Sequence, residues 1–457
     1  MSGSGAAEVF DRVFHIIRSV DDVQSVTDMR GYTAAFGTIF DPADNRIIDE
    51  VICTRFTAPH SYTGEDCVEI SCHGGSAVRQ EILRILLENG ARGAEPGEFT
   101  RAAFLSGKID LSQAEAVMDV IAADSQLALE AAERQLAGAL KQNVRGISRA
   151  LYMSFAALEM IVEFPEHEDS PDNTNSIIED LSLQLEVISA IGDSYSQGRI
   201  LREGMTVVLC GVPNSGKSSL LNRMAGYDRA IVTASPGTTR DTLEVFSSIE
   251  GIPVRLIDTA GLRDAQDEIE KLGVSRAYAA VKEADLLLWL CSPEGDDLEE
   301  GSELFNALSD SRSHDDIGIL VSKADLMDKE RAELFMNSIR ARIDTWGYSG
   351  LIRFFLIFSS ETGEGIELLG KEVRRLYDEK GQGQMSQVLL TNSRHFEKMM
   401  TAKDTLSETI AVLRRGQPAD LACSLLRSTM DALGEITGDS VNEELVHTIF
   451  SRFCIGK

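Results

Sequence analysis

Residues 211–218 have the sequence Gly-Val-Pro-Asn-Ser-Gly-Lys-Ser, which fits the pattern G-x-x-x-x-G-K-[ST]. In that pattern, glycines let backbone N–H groups surround phosphate oxygens, and the helix that follows adds positive electrostatic potential. Lys217 is expected to reach the β- and γ-phosphates, and Ser218 is expected to hold Mg²⁺. The pattern lies between an apolar run, Val207–Cys210, and a helical stretch, Ser219–Met224, as it requires. It predicts a nucleoside triphosphate site.

Further segments downstream indicate which nucleotide is bound. Asp258-Thr259-Ala260-Gly261 follows an apolar run, in the context where an aspartate supports Mg²⁺ and a glycine amide faces the γ-phosphate. Ser322-Lys323-Ala324-Asp325 resembles the N/T-K-x-D motif that reads guanine, with Ser322 in place of the usual asparagine. Ser359 and Ser360 look like the last loop that contacts the base. These segments predict a GTPase.

The residue that orients the attacking water is not the one that Ras-like proteins use. They keep a glutamine where this chain has Leu262, and an apolar side chain cannot orient water. Thr239 is the predicted switch threonine for Mg²⁺. Arg240 is a candidate arginine finger, although an ion pair with a carboxylate such as Asp241 is its more ordinary role. Another group must therefore orient the water and stabilise the transition-state charge.

The apolar patterning predicts a multidomain chain. Residues 1–107 mix strands and helices, whereas residues 108–203 and 380–457 have helical periodicity. Between them, residues 204–379 alternate short apolar runs with helical stretches, which is typical of a parallel sheet covered by helices. We expect an α+β N-terminal domain, then an all-α helical domain into which a Ras-like P-loop α/β domain is inserted. Two unrelated helical regions are the alternative.

Three local patterns are specific enough to test. Tyr32–Phe40 and Ile47–Phe56 are rich in β-branched and aromatic residues, with turn residues between them, and predict a hairpin. Ala77–Leu87 carries apolar residues at helical spacing. Apolar residues at intervals of three or four from Leu136 to Val162 predict one long helix.

The composition limits which partners and which cellular compartment we expect. The 457 residues include 44 basic and 73 acidic side chains, a formal net charge of −29. This charge argues against a protein that binds nucleic acid by its own overall field, although a local patch or a basic partner can still do so. The seven cysteines have no zinc-site spacing, and we find no signal peptide or membrane-spanning run. We expect a soluble, cytoplasmic protein.

Several motifs together resemble the MnmE (TrmE) family of GTPases. They extend over nearly the whole chain, and the terminal Cys-Ile-Gly-Lys is the most specific of them. Beside Gly211–Leu221, the motifs are Tyr62–Asp66, His73–Gly75, Pro96–Leu105, Ile231–Asp241, Asp258–Gly273, Leu433–Gly438 and Phe453–Lys457.

The resemblance implies a function and a set of partners. Family members act as homodimers and, with the flavoprotein MnmG, as heterotetramers. They add an aminomethyl or carboxymethylaminomethyl group to carbon 5 of the wobble uridine of certain tRNAs, using a one-carbon unit of 5-formyl- or methylene-tetrahydrofolate. Their fold is a folate-binding N-terminal domain and a helical domain with the G domain inserted. The implied cofactors are GTP, Mg²⁺, K⁺ and this folate.

The resemblance also implies roles for individual residues. Asn214 corresponds to a K⁺ ligand, and Glu270 to the glutamate that positions the hydrolytic water. Cys454 corresponds to a cysteine that assists at the uridine. The K⁺ shell is completed by Thr233, Ser235 and Thr238, and the folate contacts are Glu69, Lys108 and Lys457. The remaining GTP contacts are Ser215, Gly216, Ser219, Ala234, Pro236 and Gly237.

One departure and two alternatives accompany the resemblance. Family members begin with an extra strand that ends in Arg-Ile-Ser-Gly, and Met1-Ser2-Gly3 stands where its end should be. We expect either a start assigned too late or the loss of a folate-contacting arginine. A ribosome-assembly GTPase of the Era/Der type predicts a basic RNA-binding tail instead. A membrane-remodelling G protein predicts a basic amphipathic face or a lipid-insertion segment.

Overall fold

The computed structural model describes residues 1–20, 22–163, 171–211, 214–225, 244–258, 281–282, 284–293, 316–380, 389–441 and 443–453. The chain divides into two compact units, each made of segments that are distant in sequence. Unit 1 consists of residues 1–118, 136–144 and 434–457, and unit 2 consists of residues 119–135 and 145–433.

The helices and strands of the described residues have the following bounds. The strands are β1 Phe14–Ser19, β2 Thr33–Asp41, β3 Arg46–Phe56, β4 Cys67–Ser71, β5 Met205–Cys210, β6 Glu244–Ile249, β7 Ile252–Asp258, β8 Leu286–Cys291, β9 Ile317–Val321 and β10 Ile352–Ile357. The α-helices are α1 Ala6–Asp11, α2 Ser76–Glu88, α3 Glu98–Leu105, α4 Leu111–Ala122, α5 Gln126–Leu136, α6 Ala139–Glu163, α7 Pro171–Asp193, α8 Tyr195–Glu203, α9 Lys217–Ala225, α10 Lys329–Trp346, α11 Ile366–Glu379, α12 Ser393–Arg414, α13 Ala419–Thr437 and α14 Glu443–Phe450.

Unit 1 is built on a four-stranded antiparallel sheet in the order β1-β2-β3-β4. The predicted hairpin is confirmed as β2 and β3, which pair with Ala35 opposite Cys53. One face of the sheet packs on α1 and α2 and buries Phe10, Ile39 and Ile85 completely. The apolar stripe of α2 faces this core, which confirms the helix predicted from its spacing.

The first and last parts of the chain meet in unit 1. Gly97, just before α3, has φ +68°, and a Cβ there would lie 2.6 Å from the carbonyl oxygen of Phe450 in α14. Phe453 also packs at this point, with its ring centroid 5.0 Å from that of Phe450. A glycine is required because any side chain at residue 97 would displace the terminal helix.

The prediction of one helix from Leu136 to Val162 is wrong at its start. Helix α5 ends at Leu136, and α6 begins at Ala139. Gly138 between them has φ +89°, which a continuing α-helix does not allow. The side-chain amide of Gln113 donates to the Leu136 carbonyl oxygen at 2.8 Å, and this bond satisfies a helix-end acceptor.

Unit 2 contains a six-stranded sheet in the order β10-β9-β8-β5-β7-β6. Neighbouring strands from β10 to β7 are parallel, and every residue of β5, β8 and β9 is buried. These apolar runs confirm the parallel sheet. The sequence did not predict the edge strand β6, which runs antiparallel to β7. Glu250 and Gly251, both with positive φ, connect the two strands, as a two-residue hairpin requires.

The segment before the first strand of the unit 2 sheet and the segment after its last helix both contact one carboxylate. It belongs to Asp285, just before β8. Its side chain is 7% exposed, and it forms an ion pair with Arg199 of α8. Asp285 also accepts from the backbone N–H of Thr206 at 2.9 Å. Lys380, which follows α11, has its ammonium 3.8 Å from the same carboxylate and 3.4 Å from Asp316.

Candidate nucleotide site

The loop after β5 has the backbone that phosphate binding needs. Gly211 has φ +140°, and a Cβ there would lie 2.4 Å from the carbonyl oxygen of Leu290, so only glycine fits. Gly216 has φ +99°, and Asn214 has φ +65°, a left-handed conformation that asparagine tolerates better than most residues. The Asn214 side chain is exposed at this turn. The described residues on either side of positions 212–213 therefore have the positive φ values that glycine-rich phosphate loops use.

The side chain of Lys217 reaches back to the start of this loop. Its side chain is buried, with 4% exposure, and its ammonium donates to the Gly211 carbonyl oxygen at 2.6 Å. The hydroxyl of Ser215, also buried, is 3.4 Å from the ammonium. Because Lys217 is the first residue of α9, its charge adds to the positive end of the helix dipole. The result is a fixed positive potential where a polyphosphate would lie.

Two oxygen ligands suited to Mg²⁺ meet beside the phosphate loop. Asp258 is the last residue of β7, next to β5, and has 1% exposure. The hydroxyl of Ser218 donates to Oδ2 of Asp258 at 3.2 Å. A hydroxyl and a carboxylate this close offer the hard oxygen donors that Mg²⁺ prefers. The two residues therefore fit the magnesium role expected from the sequence.

Ser322, which stands where asparagine was expected, connects the loop of residues 322–325, predicted to read the base, to β8. Its hydroxyl donates to the Cys291 carbonyl oxygen at 3.1 Å, and its backbone N–H donates to the same oxygen at 2.9 Å. A Cβ placed on Gly216 would lie 3.6 Å from the Cβ of Ser322. The predicted base-reading loop thus lies against the predicted phosphate loop, and Ser322 is at the contact.

Asp325, the predicted guanine acceptor, is held by Ser359. The Ser359 hydroxyl donates to Oδ1 of Asp325 at 2.5 Å, and it accepts from the backbone N–H of Thr362 at 3.2 Å. Ser359 is fully buried, whereas Asp325 is exposed. Ser359 was expected to contact the base itself. Its observed hydrogen bonds fix the direction of the Asp325 carboxylate, the predicted guanine acceptor.

Arg223 is a residue that the sequence reasoning missed. It lies near the end of α9, and its guanidinium would be 2.5 Å from a Cβ placed on Gly363. Gly363 belongs to the loop that carries Ser359 and has φ +86°. No local signal marks Arg223, because its neighbour lies 140 positions later in the chain.

The expected folate residues of unit 1 that the structure describes are Glu69 and Lys108. Glu69 is exposed on β4, opposite Thr54 of β3. The ammonium of Lys108 donates to the carbonyl oxygens of Ser61 at 2.6 Å and Pro59 at 3.2 Å. An ammonium has three N–H donors, so a third remains for a ligand.

Several predicted site residues lie outside the described residues. They comprise the switch and K⁺-shell positions, part of the Asp-Thr-Ala-Gly segment, the water-positioning glutamate and the terminal tail. These residues are Thr233, Ala234, Ser235, Pro236, Gly237, Thr238, Thr239, Arg240, Asp241, Thr259, Ala260, Gly261, Leu262, Glu270, Cys454 and Lys457.

The fold and the site of unit 2 together define a P-loop nucleotide-binding protein, with the loops at the carboxyl ends of parallel strands. A family model described as "GTP-binding protein TrmE N-terminus" matches residues 1–108, and one described as "MnmE helical domain" matches residues 111–454. The chain belongs to the MnmE family.

Individual relatives match over the full length of the chain. The tRNA modification GTPase MnmE of Carboxydothermus hydrogenoformans is 36% identical over 457 residues, covering all of this chain and 95% of the relative. That of Geobacillus kaustophilus is 38% identical over 463 residues, with the same coverage. The crystal structure of the G domain of the T. maritima FeoB iron transporter is 24% identical, with a TM-score of 0.27, over 38% of this chain and 98% of that one.

The fold class expected from the sequence is confirmed. An α+β N-terminal part is followed by a helical region whose family match runs from residue 111 to residue 454. The P-loop sheet lies within that span, as an insertion does. In the described part of the chain, no helix combines the length and the apolar character that crossing a bilayer requires.

Proposed function

We propose that this chain is a GTP hydrolase that takes part in tRNA modification. With the flavoprotein MnmG, it would add an aminomethyl or carboxymethylaminomethyl group to carbon 5 of the wobble uridine. The observation that carries the proposal is the site formed by Lys217, the pair Ser218–Asp258 and the pair Ser359–Asp325. It occurs in a chain whose full length matches relatives named tRNA modification GTPases.

Each described residue of the site has a chemical task in this proposal. Lys217 binds the β- and γ-phosphates, and Asp325 accepts hydrogen bonds from the guanine edge. Ser218 and Asp258 hold Mg²⁺, which when bound neutralises charge on the phosphate oxygens. Ser218 is exposed, whereas Asp258, to which its hydroxyl donates, is buried.

Two further roles complete the hydrolytic site. Asn214, at the exposed turn of the phosphate loop, is proposed as a K⁺ ligand, together with Thr233, Ser235 and Thr238. A cation there would stabilise transition-state charge, which an arginine finger supplies in other GTPases. Glu270 is proposed to position the attacking water. This assignment accounts for the apolar Leu262, which cannot do so.

The one-carbon chemistry is proposed for unit 1. Glu69, Lys108 and Lys457 would bind 5-formyl- or methylene-tetrahydrofolate, and Cys454 would assist at the uridine. The packing of Phe453 against Gly97 supports this role, because the residue before the tail is buried within the same unit as Glu69 and Lys108. The third N–H of the Lys108 ammonium suits an anionic or carbonyl group of the folate.

The partners and the compartment follow from the same proposal. The protein would form a homodimer and a heterotetramer with MnmG in the cytoplasm. A chain with a formal net charge of −29 has no overall positive field to attract tRNA, so most of the basic surface that holds RNA would belong to the partner.

The proposed function can be tested in cells whose own copy of the gene has been deleted. Expression of this chain should restore the carbon-5 group on wobble uridines, measured by mass spectrometry of digested tRNA. Cells that carry an empty vector are the control. If the chain is expressed and hydrolyses GTP while the uridines stay unmodified, the proposed role in tRNA modification is contradicted. The chain would then be a GTPase of another pathway.

Hydrolysis of GTP should depend on K⁺. In NaCl the turnover should be at least about tenfold lower than in KCl at equal ionic strength, because one positioned charge-stabilising group commonly changes rates by more than that. Na⁺ is too small for a shell of Asn214 and main-chain oxygens. Phosphate release measured in the two salts checks this expectation. Equal turnover in KCl and NaCl would contradict the proposed K⁺ site.

A further inference from the structure

Helix α6 carries a basic surface in a chain that is otherwise strongly acidic. From Arg134 to Leu158 the sequence has no aspartate or glutamate, although 73 of the 457 residues of the chain are acidic. By contrast, the long helices α10 and α12 interleave acidic and basic residues. A run of one sign of charge along a helix is typical of a surface that binds a polyanion. The basic residues of this run are Arg134, Lys141, Arg145 and Arg149.

The helix determines which side of α6 is accessible. Ile147 and Leu151 are at most 3% exposed and belong to its buried side. Arg145, Arg149 and Tyr152 are exposed. Because an α-helix has 3.6 residues per turn, the spacings of four and three residues place these side chains next to one another on one face. The two arginines therefore share an accessible surface.

The arginines of this face are not neutralised by the chain. Within the described ranges of residues, the guanidinium groups of Arg145 and Arg149 form no hydrogen bond and no ion pair. Like charges four residues apart on a helix repel each other and lower its stability, whereas an opposite charge at one of the two positions would raise it. The pair thus costs helix stability that no described contact offsets. An external anion would supply the acceptors.

Two large apolar side chains extend the same face. Tyr152 is 61% exposed and Met153 is 67% exposed, three and four residues after Arg149. Aromatic rings at a basic surface provide stacking platforms for nucleotide bases, and a tyrosine also keeps its hydroxyl in water. We call Arg145, Arg149, Tyr152 and Met153 the α6 basic surface. All four residues belong to unit 2.

We propose that the α6 basic surface binds tRNA. This inference rests on the proposed function and adds the part of this chain that contacts the RNA. Guanidinium groups match phosphate oxygens with two parallel hydrogen bonds, so Arg145 and Arg149 would bind backbone phosphates. Tyr152 would stack on an unpaired base of a tRNA loop. Two unpaired like charges favour a polyanion over a protein partner, because protein surfaces carry both signs of charge.

The test measures binding of a tRNA transcript to the full-length chain together with MnmG, by fluorescence anisotropy at several salt concentrations. Arg145→Gln/Arg149→Gln should bind at least about tenfold more weakly. The slope of log affinity against log salt should fall by about 1.5 to 2, because each lost phosphate contact releases about one counterion fewer. Tyr152→Ala should weaken binding by about 5- to 100-fold with an unchanged slope, since stacking releases no counterion.

Arg414→Gln/Arg415→Gln is the matched control, because it removes the same charge from another exposed part of unit 2. It should leave the tRNA affinity and the salt slope unchanged. An equal loss in this control would show a general effect of net charge and overturn the inference. Arg145→Gln/Arg149→Gln should unfold at the wild-type temperature or above, since it relieves repulsion. A lower unfolding temperature together with weaker tRNA binding would indicate a structural role and also overturn it.

Failure of the inference is separable from failure of the proposed function. If the wild-type chain and MnmG together bind no tRNA, the proposed function is contradicted, and the inference falls with it. If they bind tRNA and Arg145→Gln/Arg149→Gln keeps the same affinity and salt slope, only the inference is overturned. A double variant that binds tRNA normally but no longer associates with MnmG would assign the α6 basic surface to a protein partner, which likewise contradicts the inference.

Discussion

Deletion of Ile455–Lys457 is expected to abolish modification of wobble uridines while GTP hydrolysis continues. The reason is the separation of tasks between the two units. The nucleotide site belongs to unit 2, whereas Phe453, 8% exposed, is packed within unit 1 beside Gly97. Removing the tail takes away Lys457 and truncates the chain after Cys454, but it deletes no predicted residue of the nucleotide site. Mass spectrometry of tRNA and phosphate release measure the two effects.

Two further variants sharpen this prediction. Cys454→Ser should also abolish modification, because a hydroxyl cannot replace the thiolate as a nucleophile at neutral pH. Arg452→Ala removes an exposed charge just before Phe453 and should leave both activities intact. Fully modified uridines in cells that carry only the truncated chain would show that the tail has no part in the chemistry.

Lys217→Ala is expected to weaken GTP binding by roughly 100- to 1000-fold. Its ammonium is buried and donates to the Gly211 carbonyl oxygen, so it is held at the phosphate loop before any ligand arrives. Truncating one partner of a buried, hydrogen-bonded charge pair in a complex costs about 2–5 kcal/mol, and about 1.4 kcal/mol corresponds to a factor of ten. Calorimetry with a non-hydrolysable GTP analogue measures the loss.

The control for this variant is Lys329→Ala, at the exposed first residue of α10 in the same unit. It removes the same group from the surface and should leave the affinity unchanged. Thermal unfolding without nucleotide should be similar for both variants, because a lysine buried at 4% exposure is itself costly to keep charged. Wild-type affinity in Lys217→Ala would contradict the phosphate-binding role.

The parallel sheet and its phosphate loop could be predicted because their signals are local. Strands such as β5, β8 and β9 are buried on both faces, so they are continuous apolar runs in the sequence. The glycines of the phosphate loop are required by its backbone and by the close carbonyl oxygen of Leu290. Sequence and structure therefore agree on where the loop begins and which lysine it encloses.

Other features could not be predicted because distant contacts create them. The helix predicted from Leu136 is broken at Gly138, although the apolar spacing continues across the break. The edge strand β6 has no continuous apolar run, since only part of it is buried. The bond from Ser359 to Asp325 joins residues 34 positions apart, and no local pattern distinguishes it from a direct base contact.

The shared carboxylate of Asp285 constrains how unit 2 can move. Arg199 precedes the first strand of the sheet and Lys380 follows its last helix, yet both bind the same buried side chain. The two segments that connect the sheet to the rest of the chain are therefore held by the same carboxylate. A displacement of the Asp285 carboxylate would therefore alter the ion pairs of both connecting segments together.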